Sequence, residues 1–284
     1  MIPDNGNTTL SAGIFGEHAA SEPERLDTAL VRLGLTESRE RAHRLITEGH
    51  VRVGGEAVTK PAYKLNDPYN ADIELTGGDK YVSRGGIKLE AALLAFFPPE
   101  GRIDGLRCCD VGASTGGFTD CLLQHGAKSV VCVDCGSEQL HHKLRADPRV
   151  CSLEGVNARG WNDAQYAKAF GLVTMDVSFI SQILIFHTVH HILAPGGRLI
   201  SLIKPQFEAG REALDRHGIV RDPAVHAAVI CNVARAAQQH PVELYMRACI
   251  PSPITGGDGN REFLALFTAE PAELPDEGEV LKWM

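Results

Sequence analysis

The spacing of apolar residues changes character along the chain. From Arg25, the residues Leu26, Ala29, Leu30 and Leu33 recur at helical intervals until Gly34, and after Ser38 a second helical run buries Ala42, Leu45 and Ile46 before stopping at Gly49. A Gly54-Gly55 turn, Val58 and the alternating Ile73 and Leu75 complete a small α+β unit. Past Gly77 and Gly78, the residues Leu89, Ala92, Leu93 and Phe96 mark a helix opened by Gly85-Gly86 and stopped by Pro98-Pro99. Short apolar runs then alternate with helical spacing. Strands are predicted at 106–111, 129–133, 150–157, 172–175 and 198–203, with helices at 118–124, 179–193 and 223–239. Two last strands, 242–250 and 262–267, follow. Strand–helix alternation of this kind predicts an α/β fold, a largely parallel sheet with helices on both faces. The expected organisation is a tail at 1–23, a small domain at 24–80, a large one at 81–269, and a second tail at 270–284.

Charge changes the picture only once it is located. The formal net charge is −8, which argues against a nucleic-acid binder. Yet residues 1–24 hold Asp4, Glu17, Glu22 and Glu24 with no base, and residues 270–284 hold Glu270, Glu273, Asp276, Glu277 and Glu279 against Lys282 alone. The two ends carry the whole excess, the body is neutral, and basic patches there are free to meet phosphate. Both acidic ends are expected to be poorly ordered. No Lys or Arg precedes Arg25 and no long uninterrupted apolar run occurs, so neither a signal peptide nor a membrane span is expected. The eight cysteines lie mostly in apolar strands without paired spacing, which predicts a reducing cytoplasm. Cys132 and Cys135 form an isolated C-x-x-C, too little for a metal site, and no metal is expected.

Two stretches carry candidate chemistry. In the first, Arg39, Arg41 and Arg44 occupy the polar face of the second helix, continued by His50 and Arg52. Guanidinium groups stay charged and present a planar fork suited to phosphate, although Glu40 and Glu48 also fit an ordinary solvated face. In the second, Leu106–Gly126, a strand runs into Gly112, Gly116 and Gly117 and then a helix from Phe118. A strand, a glycine turn and a helix N-terminus make a nucleotide-binding corner. The spacing is not G-x-G-x-x-G, and the phosphate-loop lysine is missing. The next strand ends in Asp134, where such a fold places the carboxylate that accepts both ribose hydroxyls.

Asp110-x-Gly112-x-x-x-Gly116-Gly117-Phe118, with Ser114 and Thr115 inside it, resembles the first motif of S-adenosylmethionine-dependent methyltransferases. Asn157 stands at a plausible adenine-side position. Asp176 and Lys204 end the fourth and fifth strands, where open parallel sheets bind ligands. Base-amino methylation typically shows Asp/Asn-Pro-Pro-Tyr/Phe after the fourth strand, and cytosine-carbon methylation uses a Pro-Cys nucleophile. The chain reads Asp176-Val177-Ser178-Phe179 and has no Pro-Cys. Methylation of a ribose 2′-hydroxyl needs in-line positioning and removal of a weakly acidic proton. A lysine takes that proton only when burial or a second cation lowers its pKa. Lys88, oddly placed in a helix first turn where the dipole is already positive, is a candidate partner for Lys204, with Asp176 and Glu262 orienting both.

Larger resemblances join these pieces. SRERAHRLITEGHVRVGG is close to the signature of the alpha-L RNA-binding domain named after a ribosomal small-subunit protein. KYVSRGGIKLE, DVGASTGGFTDCLL, DCGSEQLHHKLR, MDVSFIS, LIKPQFEAGR, GIVRDP and GNREFL resemble the TlyA (haemolysin A) family of ribosomal RNA methyltransferases, and the large domain is similar to the FtsJ-like ribose methyltransferases. The resemblance implies a Rossmann-like class I methyltransferase sheet and S-adenosylmethionine as donor. It also implies cytidine 2′-O-methylation of ribosomal RNA, with the tetrad carried by Lys88, Asp176, Lys204 and Glu262. Arg84, in the KYVSRGG stretch, joins the arginines expected to meet RNA, and a monomer acting on ribosomal subunits is expected. Two other functions compete: a membrane-active haemolysin, for which no inserting segment is seen, and a non-catalytic ribosome-assembly factor, for which a corrupted glycine corner would have been the sign.

Overall fold

A computed structural model describes residues 23–36, 38–76, 80–239, 241–256 and 259–283. The acidic segment expected at 1–23 therefore falls, up to residue 22, outside the described residues, as do Gly77 and Gly78. The chain divides into two compact units, with the boundary between Asp79 and Lys80.

In the first unit, β1 (Glu24–Arg25) leads into α1 (Leu26–Arg32) and α2 (Arg39–Thr47). Strands β2 (Val51–Val53), β3 (Glu56–Ala57), β4 (Lys64–Leu65) and β5 (Ile73–Leu75) follow. Ser38 opens α2 by accepting from Arg41 N at 3.2 Å, which satisfies one of the helix's unpaired amides. The sheet runs β3-β2-β5, and β1 pairs with β4. Leu26, Ala29, Leu30, Ala42, Leu45, Ile46 and Val51 form a shared core, the helical spacing of the sequence turned inward. Asp27 lies buried among them because Arg25 and Arg39 both donate to its carboxylate, at 2.8 and 3.0 Å. The Arg25 hydrogen bond holds that carboxyl well below its ordinary range.

The second unit opens with α3 (Gly85–Phe96), β6 (Arg107–Val111), α4 (Gly117–Gln124), β7 (Ser129–Val133), α5 (His142–Arg145) and β8 (Val150–Leu153). It continues with β9 (Phe170–Met175), α6 (Phe186–Ile192), β10 (Leu193–Ile203), α7 (Pro205–Glu208) and α8 (Pro223–Gln238), and closes with β11 (Tyr245–Pro251), β12 (Phe263–Thr268) and α9 (Glu277–Trp283). The sheet order is β11-β12-β10-β9-β6-β7-β8, and only β12 runs antiparallel to its neighbours. Successive strand residues face opposite layers. Cys109, Val111, Val131, Val133, Val173 and Met175 pack with α6 and α8, whereas Cys108, Val130, Cys132 and Leu172 pack with α3, α4 and α5. The strand order reverses between β6 and β9, and the carboxyl ends there mark the crevice of a doubly wound sheet.

Several elements differ from the sequence reading. The strand expected at 150–157 ends at Leu153, because Gly155 turns at φ +70° and binds Gly136 O. The helix expected at 179–193 begins only at Phe186. Phe179 takes a left-handed φ of +63°, and Ser181 then caps a short 3-10 turn over 182–185. The strand expected at 242–250 starts at Tyr245, after Glu243 turns at φ +50°. The C-terminal stretch is not a loose tail. Val280 of α9 is fully buried, Trp283 packs beside it on the α8 layer, Gln238 donates to Ala272 O at 3.2 Å, and Cys231 Sγ contacts Pro275 O at 3.4 Å. Its acidic residues face outward on a helix whose one apolar stripe is enough to dock it.

Candidate active site

The glycine corner is built as the residue types require. Gly112 turns at φ +82°, and a Cβ there would lie 2.3 Å from Asp176 O, so only glycine lets β6 pass the end of β9. Gly116 turns as well, at φ +94°, and both it and Gly117 leave room for close packing. A Cβ on Gly116 would strike Leu144 at 2.3 Å, and one on Gly117 would strike Ser83 Oγ at 2.2 Å. Thr115 hands its carbonyl to His141 N and is itself exposed, whereas Phe118 is buried under α3; none of these four residues is among those that line the cleft.

Asp110 is also out of the cleft. It is fully buried and accepts from Thr119 Oγ1 at 2.7 Å and Thr174 Oγ1 at 2.9 Å, tying β6 to α4 and β9. Burial pushes its carboxyl up to about 6, against the pull of the two hydroxyls.

Gly112, Ser114, Asp134, Asn157 and Asp176 do meet, around a cleft of about 530 Å³. Asp134 accepts from Ser114 N and Gly136 N, each at 2.7 Å, one on each oxygen. Each oxygen keeps further acceptor capacity. Asn157 accepts from Arg159 N at 2.9 Å, which leaves its amide N–H groups to donate. Val133, Val156, Ile180 and Ile185 supply apolar walls. A glycine-tight corner, an acceptor carboxylate, an amide and apolar sides fit a nucleoside-bearing donor.

Two lysine–carboxylate pairs form at the adjoining strand ends, one of them with a lysine from α3. Lys204 Nζ lies 2.6 Å from Asp176 Oδ1, too oblique for a hydrogen bond, and donates to Ser178 Oγ at 2.8 Å. Lys88 Nζ lies 2.5 Å from Glu262 Oε2, and those two side chains are 11% and 3% exposed. The ladder pairs Ile203 with Phe263, so Lys204 and Glu262 are the next opposed positions on β10 and β12. Lys88 thus points from α3 toward a buried acid, which accounts for a lysine in a helix first turn. Each lysine faces a carboxylate, the contact expected of Asp176 and Glu262 as the orienting acids.

Sequence reasoning missed Ser178 and Phe179, having read the residues after Asp176 only for what they lacked. Phe179 is 92% exposed at the cleft rim, its ring tilted against Phe207 at 5.2 Å. A large aromatic held outward in a left-handed backbone is a signal that only coordinates reveal. In the first unit Arg39 is occupied with Asp27, Arg52 donates to Gly55 O at 3.2 Å, and Arg41 and Arg44 are half-buried along α2. Arg84 is exposed at the start of α3. Cys132 is buried in β7 and Cys135 is exposed at the cleft.

The parallel sheet with its glycine corner, acceptor carboxylate and strand-end cleft defines a Rossmann-like methyltransferase. The FtsJ-like methyltransferase family model matches residues 81–268 and the S4 domain model matches residues 24–67; the chain belongs to the FtsJ-like methyltransferase family. Among its relatives is the 16S/23S rRNA (cytidine-2'-O)-methyltransferase TlyA of Mycobacterium tuberculosis, 40% identical over 89% of this chain and 93% of that one. Hemolysin A of Brachyspira hyodysenteriae is 42% identical over 86% and 99%. A solved structure from Streptococcus thermophilus, described as a hemolysin, has a TM-score of 0.67 and 39% identity, covering 92% of this chain and 95% of that one.

Proposed function

We propose that the chain transfers a methyl group from S-adenosylmethionine to the 2′-hydroxyl of a cytidine in ribosomal RNA. The observation that carries this reading is the pair of lysine–carboxylate contacts at the strand ends beside the cleft. Asp134 would hold the donor's ribose hydroxyls, Asn157 its base, and the 177–180 segment its far side. The donor, when bound, supplies an activated methyl on a sulfonium. Lys204 acts on the acceptor. It holds the hydroxyl oxygen in line and, once it turns from Ser178 and aligns with Asp176, takes up the hydroxyl proton as it passes one of its own to that carboxylate. Lys88 and Glu262 brace the opposite side of the oxygen. The exposed Phe179 ring offers a face to an unstacked base, the form in which single-stranded RNA is read. Arg41, Arg44 and Arg52 of the S4 unit, with Arg84, meet the phosphate backbone.

The haemolysin names of some relatives suggest a membrane-active alternative. Among the described residues no helix is long and apolar enough to cross a membrane. Isothermal calorimetry tests the donor half of the reading. Asp134→Ala is expected to weaken S-adenosylmethionine binding roughly ten- to hundredfold, the loss of one or two charge-assisted hydrogen bonds. Phe179→Ala is expected to leave most of that affinity and lower transfer to RNA. Wild-type affinity in Asp134→Ala would remove the cleft from donor binding.

A further inference from the structure

Two side chains of α7 grip the loop that follows β9. Lys204, at the helix's N-terminal boundary, donates to Ser178 Oγ at 2.8 Å. Glu208, at its other end, accepts from Ser181 Oγ at 2.6 Å and from Gln182 N at 2.9 Å, one on each carboxylate oxygen. Phe179 lies between the grips with φ +63° and its ring 92% exposed, with the tilted contact to Phe207 as its ring partner. A bulky residue in that region costs about 1–3 kcal/mol and persists only where its surroundings over-determine it. The same loop, Val177 to Ile180, is one wall of the cleft, whereas Glu208 does not line it.

The grips are not equivalent in the reaction proposed above, on which this inference rests. When Lys204 turns to the acceptor hydroxyl, its bond to Ser178 is released, and Glu208, which holds two loop residues at once, then becomes the main restraint beside the Ser201–Gln182 hydrogen bond and the Phe179–Phe207 contact. We propose that Glu208 is a positioning residue that holds the 177–182 loop, and with it the donor wall and the Phe179 ring, in the reactive arrangement.

The test is donor affinity by calorimetry on the full chain, with S-adenosylmethionine as probe. Glu208→Ala is expected to raise the donor Kd about tenfold, the scale of losing an acceptor to charge-assisted hydrogen bonds. Glu208→Gln, which keeps one acceptor oxygen, is expected to raise it less. Adding Phe179→Asn to Glu208→Ala is expected to restore most of the donor affinity, since asparagine adopts the left-handed region at little cost. Urea unfolding of the same variants separates local positioning from a loss of general stability, because positioning predicts a change in donor Kd with every variant still fully folded under the calorimetry conditions. If Glu208→Ala fails to fold, Ser181→Ala, which deletes one of the two hydrogen bonds, is expected to show a smaller rise that Phe179→Asn also reverses. A wild-type donor Kd in Glu208→Ala, or no recovery with Phe179→Asn, overturns the clamp alone. Absence of donor binding by the unaltered protein overturns the methyltransferase reading and the clamp with it.

Discussion

Asp110 shows how a motif residue can matter to the fold itself. Its carboxylate lies in the sheet interior under two threonine hydroxyls, and burial raises its pKa to about 6 from the ordinary 3.8. A raised carboxyl binds more protons folded than unfolded, so between about pH 4 and pH 6 its contribution to stability falls as pH rises. The loss reaches at most roughly 3 kcal/mol, at 1.36 kcal/mol per pKa unit. Urea unfolding across that window is the check. The stability of Asp110→Asn relative to wild type should climb from pH 4 to pH 6 and level off above; a pH-independent difference would show that Asp110 does not titrate there. The sequence reading made Asp110 a donor contact because an acid before the glycine corner looks the same in either role. Only β9 beside it, bringing Thr174, distinguishes them. The positions that were legible, Gly112, Asp134, Lys204 and Glu262, are those whose place follows from being at the end of a strand.

Elements with a clean period were readable and those set by a single backbone reversal were not. β7 and α3 fall where the apolar spacing put them, since both bury a regular stripe. The loop after β9 escaped because nothing in Phe179-Ile180-Ser181 announces a left-handed residue, and α9 escaped because five acids mask one apolar stripe. That stripe now makes a prediction. Removing residues 275–284 strips Val280 and Trp283 from the α8 layer and is expected to cost about 2–4 kcal/mol in urea unfolding. It should also uncover Cys231, whose thiol burial holds above its ordinary pKa. Native thiol titration should then show Cys231 reacting with Cys135 and Cys151, which are exposed already. An unchanged urea midpoint and a protected Cys231 would mean that α9 does not seal that layer.

At the scale of the whole molecule, the proposed division of labour is affinity in the S4 unit and chemistry in the methyltransferase unit. Deleting residues 1–76 is expected to weaken rRNA binding and to flatten its salt dependence by about 0.7–0.9 in the log–log slope for each phosphate that the first unit neutralises. Donor affinity should be unaltered, and an unchanged salt slope would take the first unit's arginines out of RNA binding. The net charge of −8 is no obstacle, because the acids that create it lie at the two chain ends.

The central claim is that the Lys204–Asp176 and Lys88–Glu262 pairs, with Lys204 and Glu262 just beyond the last ladder pair of β10 and β12, direct methyl transfer to a ribose oxygen. Its most direct test is to incubate ribosomal subunits with S-adenosylmethionine and either the wild-type protein or Lys204→Ala, then assay digested rRNA nucleosides by mass spectrometry. The account predicts new 2′-O-methylcytidine with the wild type, none with Lys204→Ala, and donor binding intact in both; methyl groups on a base, or full ribose methylation by Lys204→Ala, would contradict it.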